Sequence, residues 1–233
     1  MTSLEEHTEE SSPERPAWSR VVIIGGALLA VLLVGVSIGV FLSNVLGGPA
    51  DSTPDAGSIE VGFAQDMSVH HLQAVTMANW ARDNSTDGAV KQLAFDIETS
   101  QTEQVGRMKG WLMLWDKPEQ ATGAYMTWMT EPMAGHQHGA PVTAGDAVMP
   151  GMATSAELAR LRSLKGQEMD VYFLQLMLRH HQGGTSMAQY AKDHSKNNAV
   201  QLLTSSILKA QGAEMTLMTQ MLAAKGAQPL PAS

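Results

Sequence analysis

Two short stretches carry most of the ligand chemistry in this sequence. They are Met67-Ser68-Val69-His70-His71 and, 110 positions later, Met177-Leu178-Arg179-His180-His181. On a helix, a methionine with histidines at i+3 and i+4 presents a thioether and two imidazoles to one side. Met77 and Met187 lie on the same stripes. Thioether sulfur selects soft ions, Cu(I) above all, while imidazole accepts copper and zinc alike. Carboxylates, the ligands of magnesium, calcium and manganese, have no place in the repeated motif. The competing reading is structural, because an inward methionine usually packs and buried histidines can satisfy each other. Four buried imidazoles nevertheless need partners for their nitrogens, and that requirement favours a metal.

A second group of soft ligands lies between the two motifs. Met126, Met129 and Met133 are followed by His136 and His138, with Met149 and Met152 further on. In a mobile segment such a cluster can wrap Cu(I) or Ag(I), a chemistry of capture more than of catalysis. The expected metal ligands are therefore Met67, His70, His71, Met77, Met177, His180, His181 and Met187, joined by Met129, Met133, His136 and His138. No catalytic residues are expected. A di-iron bundle needs Glu-x-x-His on two of its helices, and here Met67 and Met177 stand where that glutamate would be. Glu103 and Glu214 do not occupy equivalent repeat positions; Gln104 stands opposite Glu214. No Ser/His/Asp arrangement, phosphate loop or cysteine nucleophile is visible.

The elements that must position these residues follow from the repeat, which fixes the architecture before any local reading. Phe63, Gln65, Ala78, Ala81 and Asp83 return as Phe173, Gln175, Ala188, Ala191 and Asp193. Val90, Leu93, Ile97, Gln101, Met108 and Leu112 return as Val200, Leu203, Ile207, Gln211, Met218 and Leu222, with no gap. Each copy reads as two amphipathic helices around a polar break. The first pair runs from Ser58 to about Asp83 and from about Ala89 to Trp115. The second runs from about Gln167 to Asp193 and on to about Ala224, with Gly226 as a C-terminal cap. Neither hairpin can bury its apolar stripe alone, so the expectation is all-α: a four-helix bundle with a pseudo-two-fold axis, spanning 58–224. A connector, 116–153, is broken by Pro118, Pro132, Pro141 and Pro150. Thr154-Ser155-Ala156-Glu157 is a capping box that opens a short helix ending near Gly166.

Ahead of the bundle, residues 1–20 are acidic and contain Pro13 and Pro16, which reads as a disordered cytoplasmic tail. Val21 to Leu42 has no charge and no proline, long enough for one transmembrane helix within an anchor at 21–46. Arg15 and Arg20 precede it, and no lysine or arginine follows until Arg82. The positive-inside rule then places the N-terminus in the cytoplasm and the bundle outside, as a single-pass protein of the cell membrane. A cleaved signal peptide is the competing reading, but its apolar region is ordinarily shorter, at about 7–15 residues. Gly35 and Gly39 form a G-x-x-x-G pair that could pack two anchors together. Residues 47–57 form a linker and 225–233 a second disordered tail.

Composition narrows the function. The chain has 233 residues, 16 methionines and no cysteine, which excludes disulfides, thiolate zinc sites and iron–sulfur clusters. A net charge of −8 argues against nucleic acid as a partner.

The pattern F-x-x-x-M-x-x-H-H-x-x-A-x-x-M-A in residues 63–78, its echo in 173–188, and Met149-Pro150-Gly151-Met152 followed by Glu157-Leu158 resemble a bacterial family. That family is domain of unknown function 305. The resemblance covers about 58–224 and implies a ferritin-like bundle. It also implies copper binding through methionine and histidine, as in a characterised cyanobacterial relative. This chain departs from the family pattern at Gly183-Gly184, where Gly-Ala is usual; two glycines loosen a helix or let another backbone approach. The expected cargo is copper, Cu(I) ahead of Cu(II), held for sequestration or delivery without turnover. The expected partners are copper ions and the membrane, with a membrane protein or a second copy of the chain as the protein partner. The alternative is a structural or protein-interaction bundle with no metal.

Overall fold

In the computed structural model, residues 17–46, 53–130 and 147–231 are described. They form six α-helices and, among the described residues, no strand. The chain divides into two units, one up to Ser52 and one from Thr53 onward. The first contains α1, Ala17–Leu46. Its stretch Ile24–Leu42 is long and apolar enough to cross a membrane. The hydroxyl of Ser37 donates to the Leu33 carbonyl at 2.8 Å, so this polar side chain is satisfied within the helix.

The second unit is built from α2 (Ile59–Asn84), α3 (Gly88–Leu114), α4 (Ser155–Ser163), α5 (Gly166–His194) and α6 (Asn198–Ala224). Helices α2 and α3 form one hairpin and α5 and α6 the other; α2 packs on α5, and α4 rests on α5. The two motif helices are thus the central pair of a four-helix bundle. The hairpin turns are shorter than the polar breaks suggest, because their caps are compact. Asp87 accepts hydrogen bonds from the backbone N–H groups of Ala89 and Val90, and Asn197 does the same for Ala199 and Val200. Ser85 and Ser195 each accept from the N–H two residues on, at 3.0 and 3.1 Å. The capping box at Thr154 and Glu157 is formed on both sides. Gly226, at φ +69°, closes α6 with Ala227 N–H donating to Leu222 and its own N–H to Ala223, the pairing of a Schellman cap.

Along each long helix, apolar residues of two separate core clusters flank a short polar interval. On α2 the first cluster contains Phe63 and Met67 and the second Ala74 and Met77, with His70 and His71 between. On α5 the order reverses: Phe173 and Met177 belong to the second cluster and Met187 and Ala188 to the first, with His180 and His181 between. Gln101 and Gln104 interrupt α3 in the same way, and Gln211 and Glu214 interrupt α6. The bundle is therefore two apolar cores separated by one polar layer.

Both arms of the connector dock on the central pair. Asp66, fully buried, accepts from the Met126 N–H at 2.7 Å and the Trp128 indole N–H at 2.8 Å. Burial raises its pKa above the usual aspartate value, against the pull of those two bonds. The returning arm is held by Gln73, which donates to the Ala153 carbonyl at 2.8 Å and accepts from the Ala153 N–H at 2.7 Å. Arg179 forms a two-point ion pair with Glu157 at 2.8 and 2.7 Å. Burial works against the Glu157 charge, yet Arg179 and Thr154 hold its pKa below the usual value.

A close backbone approach accounts for the first glycine of the pair, Gly183. A Cβ there would run into the carbonyl of Pro150, so this position of α5 must be bare for the connector backbone to approach. Gly183→Ala is therefore expected to lower stability by about 1–3 kcal/mol, the usual cost of overpacking, despite the better helix propensity of alanine. At exposed Gly106 nothing lies within 4 Å of an added Cβ. Gly106→Ala should instead add about 0.5–1 kcal/mol. Urea denaturation of the two variants checks the difference in sign.

Candidate functional site

The polar layer is built around four imidazoles, all with 0 % exposure. The rings of His70 and His180 lie 3.8 Å apart between centroids, tilted by 39°. His71 is 6.4 Å from His70, and His181 is 6.3 Å from His180. Adjacent histidines on a helix diverge, so one of each pair meets its counterpart across the α2–α5 interface and the other turns towards its own hairpin partner.

Each Nε2 faces an oxygen acceptor. His70 donates to the Pro150 carbonyl at 3.1 Å and His180 to the His70 backbone carbonyl at 3.0 Å. His71 donates to Gln104 Oε1 at 2.7 Å, and His181 to Glu214 Oε2 at 2.6 Å. Oxygen acceptors at all four assign the Nε2–H tautomer to each ring. Among the described residues no protein group reaches any of the four Nδ1 atoms. A proton on Nδ1 would thus be a buried donor without an acceptor, and Nδ1 carries a bare lone pair. Burial pushes His70 down to about 4 from the ordinary 6.5, only partly offset by the Pro150 carbonyl. Burial, then the neighbouring His70, pushes His71 down to about 3. His180 falls well below 6.5 for the same reasons.

This is the preparation that imidazole needs to ligate a metal. A ligating histidine is neutral, donates its other N–H to a carbonyl or carboxylate, and offers the remaining lone pair. Among the described residues, though, no three His, Asp or Glu side chains converge on one point.

The methionines fall outside the layer. Met67 and Met187 sit in the first apolar cluster and Met77 and Met177 in the second, all essentially buried. The i, i+3, i+4 spacing does place them on the motif stripe, but the thioethers pack above and below the imidazoles. Met129 is likewise buried, in the first cluster with Met126, Met149 and Met152, where the sequence suggests a loose loop. Its position follows from the Asp66 clamp on the adjoining backbone. Met133, His136 and His138 lie outside the described residues.

Four further residues belong to the layer and are not among the ligands expected from sequence. Gln104 and Glu214 orient His71 and His181, and they occupy the same repeat position. Gln101 and Gln211, 2 % exposed, are also repeat mates, and neither end of either carboxamide has a hydrogen-bond partner among the described residues. Gln211 and His70 both face Gly184: a Cβ there would lie 3.1 Å from both Gln211 Oε1 and His70 Cε1. The available signal was a glutamine recurring on an otherwise apolar stripe.

The comparisons with known proteins agree with this architecture. The family model described as Domain of unknown function (DUF305) matches residues 60–222. A DUF305 protein from Streptomyces coelicolor is 39% identical, with a TM-score of 0.67, covering 76% of this chain and 99% of its own. A DUF305 fragment from Deinococcus radiodurans is 32% identical, with a TM-score of 0.57, covering 71% and 96%. CopM in its Cu(I)-bound form shares the fold at 23% identity and a TM-score of 0.53, covering 71% and 96%. None of the curated proteins matches the chain.

The histidine shifts set a pH dependence. Unfolded imidazoles titrate near 6.5, and the folded His70, His71 and His180 do so far lower, so between these values the unfolded chain binds more protons. Their contribution to stability is complete above pH 6.5 and falls as the pH drops towards about 4. Each costs about 1.4 kcal/mol per pH unit in that window. Asp66, with its pKa raised, works in the opposite direction, losing its contribution as pH rises from about 3.8 through its folded value. Three groups against one leave a net fall. Denaturation of the metal-free chain between pH 8 and 5 should show it, with a slope shallower by about one proton in a folded His71→Gln variant.

Proposed function

The chain belongs to the DUF305 family, and from that premise and the polar layer we propose that it is a membrane-anchored, extracytoplasmic copper-binding protein. It takes up Cu(I) for sequestration or delivery and carries out no turnover. One observation carries the reading: four buried imidazoles, each with Nε2–H given to an oxygen and Nδ1 left bare. Buried polar atoms ordinarily have a partner, and leaving one unmade costs about 1–3 kcal/mol. Four at once, at repeated positions on the central helices, are accounted for by a soft cation that uses the lone pairs. The methionine-rich clusters on either side supply polarizable thioethers along any route to the layer.

Two comparisons support the reading. CopM, which has the same fold, has solved structures in Cu(I)-bound, Cu(II)-bound and Ag-bound forms. The Streptomyces coelicolor relative is described as a secreted protein, in keeping with a bundle outside the cytoplasm. Retention at the membrane rests on α1, whose apolar span is preceded by Arg15 and Arg20. The structural alternative draws on the complete set of Nε2 hydrogen bonds, which by themselves lock the four helices together.

A Cu(I) titration of the full chain in detergent, against a colorimetric chelator of known affinity, separates the two. Zn(II) is run in parallel. The expected result is competition for Cu(I), weak uptake of Zn(II), and loss of the tight uptake when His70, His71, His180 and His181 are all changed to glutamine. Circular dichroism establishes that this variant is helical. Unchanged Cu(I) affinity in a folded four-histidine variant, or no competition by the wild-type chain, overturns the copper reading in favour of the structural one.

A further inference from the structure

The two halves of the polar layer are not equivalent, and the difference is one charge. His71 and His181 are repeat mates, both with 0 % exposure, and each gives its Nε2–H to the side chain 33 residues on. In the α2–α3 half that side chain is the neutral carboxamide of Gln104, at 2.7 Å. In the α5–α6 half it is the carboxylate of Glu214, at 2.6 Å. Glu214 is mostly buried, its side chain 17% exposed, and among the described residues neither lysine nor arginine pairs with it. The other buried carboxylates belong elsewhere: Asp66 is held by Met126 and Trp128, and Asp170 lies 4.0 Å from the Lys225 ammonium.

A carboxylate behind an imidazole does two things that a carboxamide does not. It makes the ring a better electron donor at its far nitrogen, the carboxylate–histidine–metal arrangement. It also places a full negative charge in a site of low dielectric, where bringing in a cation is otherwise costly. Gln104 supplies orientation alone. The ring orientation is thus repeated while the electrostatics are not.

We propose that the bundle holds its cargo asymmetrically: the Glu214–His181 half is the tight site for a soft monovalent cation, and the Gln104–His71 half is the weak one. Glu214 is a positioning and charge-balancing residue that acts through His181. This deepens the copper reading and rests on it.

The test is a titration of the full chain in detergent with Ag(I), a redox-inert soft monovalent probe, and with Cu(I) under reducing conditions. Wild type, Glu214→Gln, Gln104→Glu, His181→Gln and the double variant H181Q/E214Q are compared. The wild type should bind in two phases. Glu214→Gln should weaken the tight phase 10–100-fold, the usual cost of losing such an outer partner, and leave the weak phase in place. Gln104→Glu should tighten the weak phase by a comparable factor, a gain that a merely structural role would not produce. Once His181 is glutamine, Glu214→Gln should have no further effect. An unchanged tight phase in Glu214→Gln, equal shifts of both phases, or no gain in Gln104→Glu overturns the asymmetry while leaving copper binding intact. No uptake of either ion by the wild-type chain overturns the copper reading and the asymmetry with it.

Discussion

Everything in the bundle is arranged around the burial of four imidazoles in the middle of an otherwise apolar core. Removing an imidazole from water is tolerated only if its N–H finds an acceptor and its charge is given up. The first condition is met at all four rings, and the second at His70, His71 and His180. The acceptors come from a facing helix backbone, from a docked loop carbonyl and from two side chains of the flanking helices. The apolar clusters above and below keep water away from the rings. That environment holds the pKa of His70 and His71 at about 4 and about 3. The same requirement sets the registry of α2 on α5, because His180 can reach the His70 carbonyl only when the two motifs lie opposite each other.

Duplication accounts for the scaffold, and the places where the two copies differ account for its particular features. Asp66 is Leu176 in the second copy, and Asp66 clamps the outgoing arm of the connector through Met126 and Trp128. Gln73-Ala74 is Gly183-Gly184, one side gripping the Ala153 backbone and the other making room for the Pro150 carbonyl. Val69 is Arg179, which anchors α4 through Glu157. Three of these differences serve to seat one connector across a two-fold surface that offers two equivalent places for it. The fourth, Gln104 against Glu214, lies inside the layer and is hydrogen-bonded to His71 and His181.

The helices and their pairing were legible because the signal is redundant: an amphipathic period, a repeat without gaps, and matching turns at Ser85-Asp87 and Ser195-Asn197. The four histidines were legible as a group for the same reason. The role of the methionines was not, because periodicity gives the face of a helix and not the level at which a side chain meets its neighbours. Met67 and His70 share a stripe yet end in different layers. Gln101 and Gln211 stand out as repeat mates, but their place in the polar layer was not legible because glutamine on a buried stripe resembles the edge of an amphipathic face. The docking of Met126 and Met129 rests on a contact with Asp66 some sixty residues away, which no local pattern encodes. Only a repeat comparison that asks where the copies differ points to Asp66 or Glu214.

The central claim is that the apo-protein buries four imidazoles that give Nε2–H to an oxygen and leave Nδ1 without a protein partner. Long-range proton–nitrogen correlation NMR of the nitrogen-15-labelled, metal-free chain at pH 7 reads this directly. The account predicts that His70, His71 and His180 each show a protonated Nε2 and an unprotonated Nδ1, and that Cu(I) moves the Nδ1 resonances while the Nε2 protons persist. Protonated Nδ1 atoms in the apo-protein, or Nδ1 resonances that saturating Cu(I) leaves in place, would contradict it.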